Sequence, residues 1–336
     1  MHIGIFGAGS IGCFVGGRLQ VAGETITLVG RDRLRGEIEE HGLIVSDFGE
    51  RLTMSGGEVR YVTGPAALAD CDAVLVCVKS AQTAEVAEQL DGIVGPDVVV
   101  ASLQNGVRNP ATLREALGSR PVVATIVEFN VVSKGEGVFQ RGTDGGLIVE
   151  EVDGAGALIA ALQRSGLGVK VTADIAPEQW TKLLVNLNNA VVALTDAPTP
   201  VLMSDGTLRR VIAAIIEEAA GVLEAAGIRV AKLRGLPVSW MPRILRLPDA
   251  IARLVLRAQM KADPDARSSM WEDLHRGRTT EVDFLNGEIV HLAEKHGLQA
   301  PVNAAIVRLI RDAEATGTGS PALTPTALAA ALGITN

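Results

Sequence analysis

The first half of the chain alternates short apolar runs with segments of helical periodicity. The apolar runs, rich in β-branched residues, predict strands at His2–Phe6, Thr25–Val29, 73–78, 98–102 and Val122–Val127. Several runs are almost continuously apolar, which is typical of parallel strands that helices cover on both faces. Their alternation with helical segments predicts βαβ units and a parallel sheet. Two glycine-rich stretches, Gly56-Gly57 and 142–146, predict turns between antiparallel edge strands.

The pattern changes near residue 174, beyond which long segments have helical periodicity. These segments are 177–194, 207–226, 246–261, 280–296 and 300–315. The sequence therefore predicts an α/β Rossmann-type dinucleotide-binding domain over residues 1–174 and an all-α C-terminal domain over residues 175–316. Residues 317–336 are rich in Gly, Thr, Pro and Ala, and we expect a C-terminal extension with one short helix at 327–332.

Composition narrows the range of partners. A chain of 336 residues is long for one core, which agrees with two domains. The net charge of -8 argues against nucleic acid as a partner, because phosphate binding needs a basic surface. No apolar run reaches the ~18 residues of a membrane span, and the N terminus has no signal-peptide pattern. The three cysteines lack metal-ligand spacing, so we expect free thiols, no metal site and a cytoplasmic location.

A glycine-rich motif follows the first predicted strand directly. It reads Gly7-Ala8-Gly9-Ser10-Ile11-Gly12, and a helical pattern comes after it. In a dinucleotide-binding turn the first glycine permits the tight turn, the second lets backbone approach the pyrophosphate, and the third lets the helix pack on the strand. Because a strand and a helix flank the motif as this mechanism requires, we interpret all six residues as cofactor-binding. A coincidental glycine turn is the alternative.

The end of the second predicted strand indicates which dinucleotide binds. NAD-binding proteins usually carry an acidic residue there, which accepts a hydrogen bond from the ribose 2′-hydroxyl. Here Gly30 occupies that place and Arg31 follows it. A guanidinium can pair with a 2′-phosphate, which a carboxylate would repel. This exchange predicts NADPH as cofactor and Arg31 as a cofactor-binding residue, with a solvated arginine beside Asp32 as the alternative.

Two further predicted strands end in polar loops. One loop is Lys79-Ser80-Ala81-Gln82, and the other is Gln104-Asn105-Gly106. Open α/β sheets bind ligands at the carboxyl ends of their strands, so we expect Lys79, Gln82 and Asn105 to face the cofactor. The alternatives are an exposed lysine at the start of a helix and an ordinary Asn-Gly turn.

The helical half contains one line of polar residues in an otherwise apolar segment. Lys182, Asn186 and Asn189 fall at i, i+4 and i+7, which places them on one face of a continuous helix. The apolar residues between them predict a helix that is buried nearly all round. Lys182 must then point into a cavity, because an unpaired buried ammonium is very costly. Such a lysine suits proton transfer; a solvent-facing stripe is the alternative.

A second polar group comprises Ser268-Ser269-Met270-Trp271 and the segment 278–287. Thr279 or Thr280 is predicted to cap a helix, with Glu281 in its first turn, where the helix dipole favours a carboxylate. The residues alone leave open whether Glu281 is functional or only stabilises that helix. Flanking periodicity places Gly287 in the middle of the helix.

Taken as an ordered set, these residues resemble the ketopantoate reductase (2-dehydropantoate 2-reductase) family from Met1 to about Ala315. The resemblance rests on the motif at 7–12, Arg31, Lys79-x-x-Gln82, Gln104-Asn105-Gly106, Trp180-x-Lys182-x-x-x-Asn186, Ser268-Ser269-Met270 and 278–287. It implies a Rossmann domain joined to a helical domain. It also implies an enzyme that reduces a small 2-oxo acid with NADPH, with 2-dehydropantoate as the substrate and pantothenate biosynthesis as the pathway.

The resemblance also implies roles for single residues. Lys182 would be the proton donor, and Glu281 would act near the nicotinamide ribose and the reacting centre. Arg31 and Lys79 would bind the adenosine phosphate end, while the substrate would be held by Asn105, Asn186 and Ser269.

One departure from the family pattern concerns the substrate. The family often has a second asparagine two turns after the lysine, where this chain has Ala190. Asn189, next to it, is the expected substitute on the same face. A reductase of another small 2-oxo acid and a non-catalytic NADP-sensing regulator are the alternative functions. A helical second domain often supplies a dimer surface, so a homodimer is one expectation for its assembly.

Overall fold

The structure is a computed structural model, and it describes residues 1–233, 235–252 and 267–334. The chain divides into two compact units, Met1–Ile175 and Ala176–Asn336. Within the described residues, every strand longer than a single bridge lies in the first unit, and the second unit is helical. The predicted fold class, a Rossmann-type domain followed by an all-α domain, is confirmed.

The strands of the first unit, which is described throughout, form two sheets. They are β1 (His2–Phe6), β2 (Thr25–Val29), β3 (Leu43–Asp47), β4 (Glu50–Met54), β5 (Arg60–Val62), β6 (Ala73–Val76), β7 (Val99–Ser102), β8 (Val122–Val127), β9 (Val131–Gly135), β10 (Val138–Arg141), β11 (Leu147–Glu150) and β12 (Val169–Thr172). The larger sheet has the order β5-β2-β1-β6-β7-β8-β11-β12. Its neighbouring strands are parallel except for β8 and β11, which pair antiparallel.

Helices cover both faces of the larger sheet. The helices of this unit are α1 (Ser10–Val21), α2 (Asp32–His41), α3 (Thr83–Asp91), α4 (Asn109–Leu117) and α5 (Gly156–Arg164). On β6, Leu75 packs in one core with residues of α1, α2 and α5, whereas Val74 and Val76 pack in another core with residues of α3 and α4. Successive side chains of a strand point to opposite faces. Burial on both faces therefore explains the continuous apolar runs in the sequence.

The smaller sheet has the order β4-β3-β10-β9. Its position in the chain shows that the two glycine-rich stretches do not have the predicted role. The stretch around Gly56-Gly57 forms a 3-10 turn that connects β4 to β5 of the larger sheet. Residues 142–146 likewise connect β10 to β11 of the larger sheet. The prediction of turns between antiparallel edge strands is therefore wrong, because each stretch carries the chain from one sheet to the other.

The second unit packs around one long helix. Within its described residues the helices are α6 (Ala176–Asn186), α7 (Asn189–Thr195), α8 (Thr199–Ser204), α9 (Gly206–Ala225), α10 (Met241–Leu245), α11 (Ser269–His275), α12 (Asn286–Lys295), α13 (Pro301–Thr316) and α14 (Pro325–Ala331). Helix α9 contacts α6, α8, α10, α12, α13 and α14. Most of its apolar residues are buried, as expected for a central helix. None of the helices in the described ranges is long and apolar enough to cross a membrane.

The sequence predicts two further segments of this unit. The helix predicted over 246–261 lies mostly outside the described residues. The tail predicted as an extension over 317–336 packs on the helical unit as far as it is described. Leu323 donates a backbone hydrogen bond to the Leu194 carbonyl oxygen at 2.8 Å, and Leu328 of α14 is fully buried. The tail is part of the second unit because its apolar residues complete that core.

Candidate active site

The glycine motif of the first unit forms the turn between β1 and α1. Gly7 has a φ of +101°, and a Cβ atom there would lie 2.6 Å from the backbone nitrogen of Val78. A Cβ at Gly12 would lie 2.6 Å from the Gly7 carbonyl oxygen and 2.9 Å from Ile5 Cγ2, so this glycine lets the helix approach the strand. At Gly9 a Cβ would meet no atom within 4 Å. The turn thus has open space at the glycine that a pyrophosphate would approach.

The N terminus of α1 suits an anion. Gly9 is the N-cap residue, and no side chain caps the helix there. Gly7 and Ala8 both donate backbone hydrogen bonds to the Val29 carbonyl oxygen, at 3.0 and 2.8 Å, which ties the turn to the end of β2. The helix dipole and the first-turn N–H groups favour negative charge at this point. An open glycine beside an uncapped helix therefore fits the dinucleotide that the motif predicts.

The residues that follow β2 lie beside the same turn. Gly30 donates a backbone hydrogen bond to the Val62 carbonyl oxygen at 3.0 Å, and Arg31 is the exposed N-cap residue of α2. Asp32 forms an ion pair with Arg35 at 3.0 Å, whereas Arg31 has no ion-pair partner among the described residues. The acidic neighbour therefore does not neutralise Arg31, and its guanidinium can pair with an anionic ligand.

The two polar loops lie side by side at the carboxyl edge of the sheet. β6 and β7 are parallel neighbours, and the loops that follow them contain Lys79 and Asn105. Val78, the residue before Lys79, is the one that closely approaches Gly7. The structure therefore brings the Lys79 and Asn105 loops and the glycine turn to one edge of the sheet. Gln82 is exposed, and Lys79 and Asn105 are half-buried.

Four buried or half-buried polar residues that the sequence analysis did not select connect these loops. Ser80 Oγ donates to the Asn105 carbonyl oxygen at 2.9 Å. Gln104 Nε2 donates to the Val78 carbonyl oxygen at 3.1 Å and to Thr83 Oγ1 at 2.8 Å. Asn109, the fourth, is buried and bonds to three of these groups. Their signal in the sequence is polar residues just after two apolar strands that become neighbours only in the folded sheet.

The line of polar residues in the second unit is interrupted by the end of a helix. Helix α6 ends at Asn186, and α7 begins at Asn189 with Asn188 as its N-cap residue. The predicted single face for Lys182, Asn186 and Asn189 is therefore wrong, because the i+7 relation requires one continuous helix. Asparagine favours helix ends, since its side chain competes for backbone hydrogen bonds.

Burial of α6 is also one-sided rather than complete. Thr181, Leu183, Leu184 and Asn186 are buried, while Trp180, Lys182 and Val185 are half-buried. The prediction of a helix buried nearly all round is therefore wrong. Its apolar residues cover the face toward the unit's interior, and Lys182 lies on the partly exposed remainder, one turn before Asn186.

The structure joins Asn189 to the serine pair. Ser268 caps α11, accepting a hydrogen bond from the backbone N–H of Trp271 at 3.1 Å. The Ser268 hydroxyl donates to the carbonyl oxygen of Asn189 at 2.9 Å. Ser269 is the exposed first residue of α11. Two segments that are about eighty residues apart in the sequence are thus held together by the serine that precedes the predicted substrate-binding one.

The segment around Glu281 differs from its prediction. Glu281 is the N-cap residue of a 3-10 turn, Val282–Phe284, and α12 begins only at Asn286. The buried Thr280 hydroxyl accepts a hydrogen bond from Val282 N at 3.2 Å, so it holds the 3-10 turn rather than capping an α-helix. Glu281 is therefore not in the first turn of the long helix, and Gly287 lies near the start of that helix rather than in its middle. Glu281 is half-buried.

Metal ligands do not cluster in the part of the chain that the structure describes. No group of three or more His, Cys, Asp or Glu side chains there could hold a metal ion.

The fold and the glycine turn define a class of proteins, the two-domain NAD(P)-dependent oxidoreductases. Two family models match the sequence: ketopantoate reductase PanE/ApbA over residues 3–154, and ketopantoate reductase PanE/ApbA C terminal over residues 174–314. The chain therefore belongs to the ketopantoate reductase family, whose members are oxidoreductases that act on CH–OH groups, and the predicted resemblance is confirmed.

Individual relatives cover nearly the whole chain. The 2-dehydropantoate 2-reductase of Halobacterium salinarum is 31% identical over 330 residues, which are 94% of this chain and 100% of that protein. A crystal structure of a PanE/ApbA family ketopantoate reductase from Ralstonia eutropha JMP134 has a TM-score of 0.81 and 29% identity, covering 94% of this chain and 99% of that one. D-mandelate dehydrogenase, in a ternary structure with NADH and anilino(oxo)acetate, has a TM-score of 0.77 and 21% identity, covering 94% of this chain and 99% of that one. The last similarity is one of fold alone.

Proposed function

We propose that this protein reduces 2-dehydropantoate to pantoate with NADPH, a step of pantothenate biosynthesis. One observation carries the proposal: a relative named 2-dehydropantoate 2-reductase aligns over its full length with 94% of this chain. The two ketopantoate reductase family models match the segments that hold Gly9 and Lys182. The cytoplasmic location and the homodimer expected from the sequence stay predictions.

The first unit is proposed to hold the cofactor. Gly7 to Gly12 would hold the pyrophosphate at the N terminus of α1, where open space and the helix dipole favour an anion. Arg31 would pair with the 2′-phosphate, and Lys79 and Gln82 would bind the adenosine end. Bound NADPH supplies a hydride to the substrate carbonyl carbon.

The second unit is proposed to supply the proton. Lys182 donates a hydrogen bond to the substrate carbonyl oxygen and stabilises the negative charge that develops there. It then protonates the alkoxide, which completes the reduction to a hydroxyl group. Asn105, Asn186, Asn189 and Ser269 are the residues proposed to bind polar groups of the substrate. Glu281 would hold the nicotinamide ribose of the bound cofactor.

A second candidate function is the reduction of a different small 2-oxo acid. The observation in its favour is Ala190, which is fully buried in α7 at a position where the family often has an asparagine. An alanine offers no hydrogen bond to the hydroxyl groups of a substrate, so the pocket could prefer a more apolar acid. The similarity in fold to D-mandelate dehydrogenase agrees with such a change but does not require it.

A substrate panel with the purified protein tests both candidates. NADPH oxidation is followed at saturating cofactor with 2-dehydropantoate, 2-oxoisovalerate, phenylglyoxylate and pyruvate. We expect the highest kcat/KM with 2-dehydropantoate. A higher value with another acid supports the second candidate. Tight NADPH binding without oxidation by any of the acids contradicts both and points to a non-catalytic NADP-sensing regulator.

A further inference from the structure

The place after β2 where NAD-binding proteins carry an acid is filled in this protein by the side chain of another strand. A Cβ atom built on Gly30 would lie 2.0 Å from Tyr61 Oη, 2.9 Å from Tyr61 Cζ and 3.1 Å from Ala8 Cβ. Contacts below 3.0 Å are far inside van der Waals range. Gly30 is not among the residues with positive φ, so its backbone conformation does not require glycine. Glycine is required at position 30 because the Tyr61 side chain occupies the space that a Cβ atom would need.

Strand register explains why the two residues meet. β5 pairs with β2 in parallel, with Leu28 opposite Tyr61, and Gly30 donates its N–H to the Val62 carbonyl oxygen. Side chains at positions 28 and 30 would point to the same face of the sheet, because the period of a strand is two. Tyr61 therefore leans along its strand into the space above Gly30.

Tyr61 is also held in place. Its ring is buried in the core beside α1 and α2, and its hydroxyl donates a hydrogen bond to the carbonyl oxygen of Ala8 at 3.3 Å. Burial raises the pKa of this phenol, so the hydroxyl stays protonated and remains a donor. Moving the ring aside would break this bond and expose apolar surface. The Tyr61 side chain is therefore held in one position beside Gly30, and its hydroxyl is bonded to Ala8 of the glycine motif.

We propose that Tyr61 is a specificity-determining residue for the dinucleotide, because it excludes every side chain, and hence an acid, from position 30. An acid there would accept a hydrogen bond from a ribose 2′-hydroxyl and repel a 2′-phosphate. With that position kept empty, Arg31 is the residue that the 2′ substituent meets. Tyr61 acts through residue 30 and needs no contact with the cofactor. This inference rests on the proposed use of NADPH.

A stability cycle tests the steric part without any cofactor. The full-length wild type, Gly30→Ala, Tyr61→Val and the double variant are compared by differential scanning calorimetry, which measures the unfolding temperature Tm. We expect Gly30→Ala to lower Tm in the wild-type background and to be neutral or stabilising in the Tyr61→Val background. Tyr61 is the single tyrosine of the chain, so its absorbance also reports whether the ring is displaced. If Gly30→Ala changes neither Tm nor the titration of the tyrosine, the exclusion is absent and the inference fails.

A binding experiment tests the specificity part. Dissociation constants for NADPH and NADH are measured by calorimetry for the wild type, Gly30→Asp, and Gly30→Asp with Tyr61→Val. We expect Gly30→Asp alone to weaken binding of both cofactors, and the double variant to shift the preference toward NADH by about tenfold or more. Equal shifts with and without Tyr61→Val would show that the tyrosine plays no part. Should the single variant prove insoluble, the cycle with alanine decides the steric claim.

The outcomes separate this inference from the proposed function. A wild-type protein that prefers NADH contradicts the proposed cofactor, whatever the cycle shows. A wild type that prefers NADPH, combined with a Gly30→Asp variant that binds NADH tightly while Tyr61 is still present, contradicts only the inference.

Discussion

The side-chain nitrogen of Asn109 donates a hydrogen bond to the hydroxyl of Ser80 at 3.0 Å, joining the first residue of α4 to the loop after β6. The same nitrogen donates to the Asn105 carbonyl oxygen at 2.5 Å, and the amide oxygen accepts from Thr83 Oγ1 at 2.9 Å. One buried amide therefore holds the two loops that carry Lys79 and Asn105. Its place, behind the proposed cofactor site, makes it a positioning residue.

Replacing Asn109 by alanine should affect both stability and cofactor binding. The change leaves the buried hydroxyls of Ser80 and Thr83 each with one partner fewer, which should lower the free energy of unfolding by about 1–3 kcal/mol. The loops should also become less rigid, so we expect a larger dissociation constant for NADPH with little change in kcat at saturation. Calorimetry of unfolding and of NADPH binding measures these effects.

An exposed residue on the same helix provides the control. Glu115→Ala removes a side chain that faces solvent, and it should leave NADPH binding and the unfolding temperature nearly unchanged. If Asn109→Ala is destabilised but binds NADPH as the wild type does, the amide is structural only and does not position the loops for the cofactor.

The sequence predicts the five adjoining central strands of the large sheet, but not its outer strands β5, β11 and β12 or any strand of the small sheet. The five predicted strands correspond to β1, β2, β6, β7 and β8, because burial on both faces makes them continuously apolar. β4 and β9 each have only one buried residue, so neither forms the continuous apolar run that marks the strands of the large sheet. The small sheet packs against α1 through β3 and the end of β4: a Cβ on Gly17 would lie 2.6 Å from Val45 Cγ2 and 3.2 Å from Met54 Cε. Such a contact between distant segments leaves no periodic signal.

In the candidate site, too, the sequence predicts some residues and not others. The glycine motif and Arg31 were accessible to sequence analysis because their spacing follows from the geometry of one strand, turn and helix. Tyr61 and Asn109 were not, because each acts on a residue that only sheet pairing brings near. The end of α6 had a signal that periodicity masked: three asparagines within Asn186 to Asn189 favour a helix terminus over a helix interior.

Lys182→Ala should separate catalysis from cofactor binding. If Lys182 protonates the alkoxide, its removal should lower kcat by about 100-fold or more. NADPH affinity should stay within about twofold of the wild type, because the residues proposed to bind the pyrophosphate and the adenosine end of the cofactor lie on the first unit. Steady-state kinetics with 2-dehydropantoate and calorimetric titration with NADPH measure the two effects. Lys295→Ala, an exposed lysine of the helical unit, is the control for loss of a positive charge. Unchanged turnover in Lys182→Ala would falsify the assignment.

The thiols should react slowly in the native protein. All three cysteines are free, and burial raises the pKa of Cys71 to about 11 and that of Cys77 to about 12. At pH 8 a thiol with a pKa near 11 is a thiolate in about one molecule in 1000, against about a quarter for an ordinary cysteine. Since only the thiolate is alkylated, the rate should rise about tenfold per pH unit between pH 8 and pH 10.

Mass spectrometry after treatment with iodoacetamide tests this expectation. The native chain should remain unlabelled at pH 8 over the time in which the guanidinium-unfolded chain acquires three carbamidomethyl groups. The raised pKa also predicts that native stability declines as pH rises above the ordinary cysteine value, because the unfolded chain then loses protons that the folded chain retains. Rapid labelling of Cys77 at pH 8 would mean that its thiol is accessible and ionised.

Two adjacent glutamates on α9 make a matched pair for the last prediction. Glu218 accepts hydrogen bonds at 2.8 Å from the backbone N–H groups of Val302 and Asn303, and a third from Asn303 Nδ2 at 2.8 Å. The first turn of α13 is thereby capped by a carboxylate from another helix, where the helix dipole also favours negative charge. Glu217, its neighbour, forms an exposed ion pair with Arg246.

Glu218→Ala should lower the free energy of unfolding of the helical unit by about 2–3 kcal/mol, because three N–H donors lose a charged acceptor. Glu217→Ala should cost about 0–1 kcal/mol, since an exposed ion pair contributes little. The three tryptophans of the chain, Trp180, Trp240 and Trp271, all lie in the second unit, so their fluorescence during urea unfolding reports on that unit alone. Equal effects of the two changes would show that water replaces the Glu218 carboxylate at the start of α13, and that the interhelical cap adds nothing to the stability of this unit.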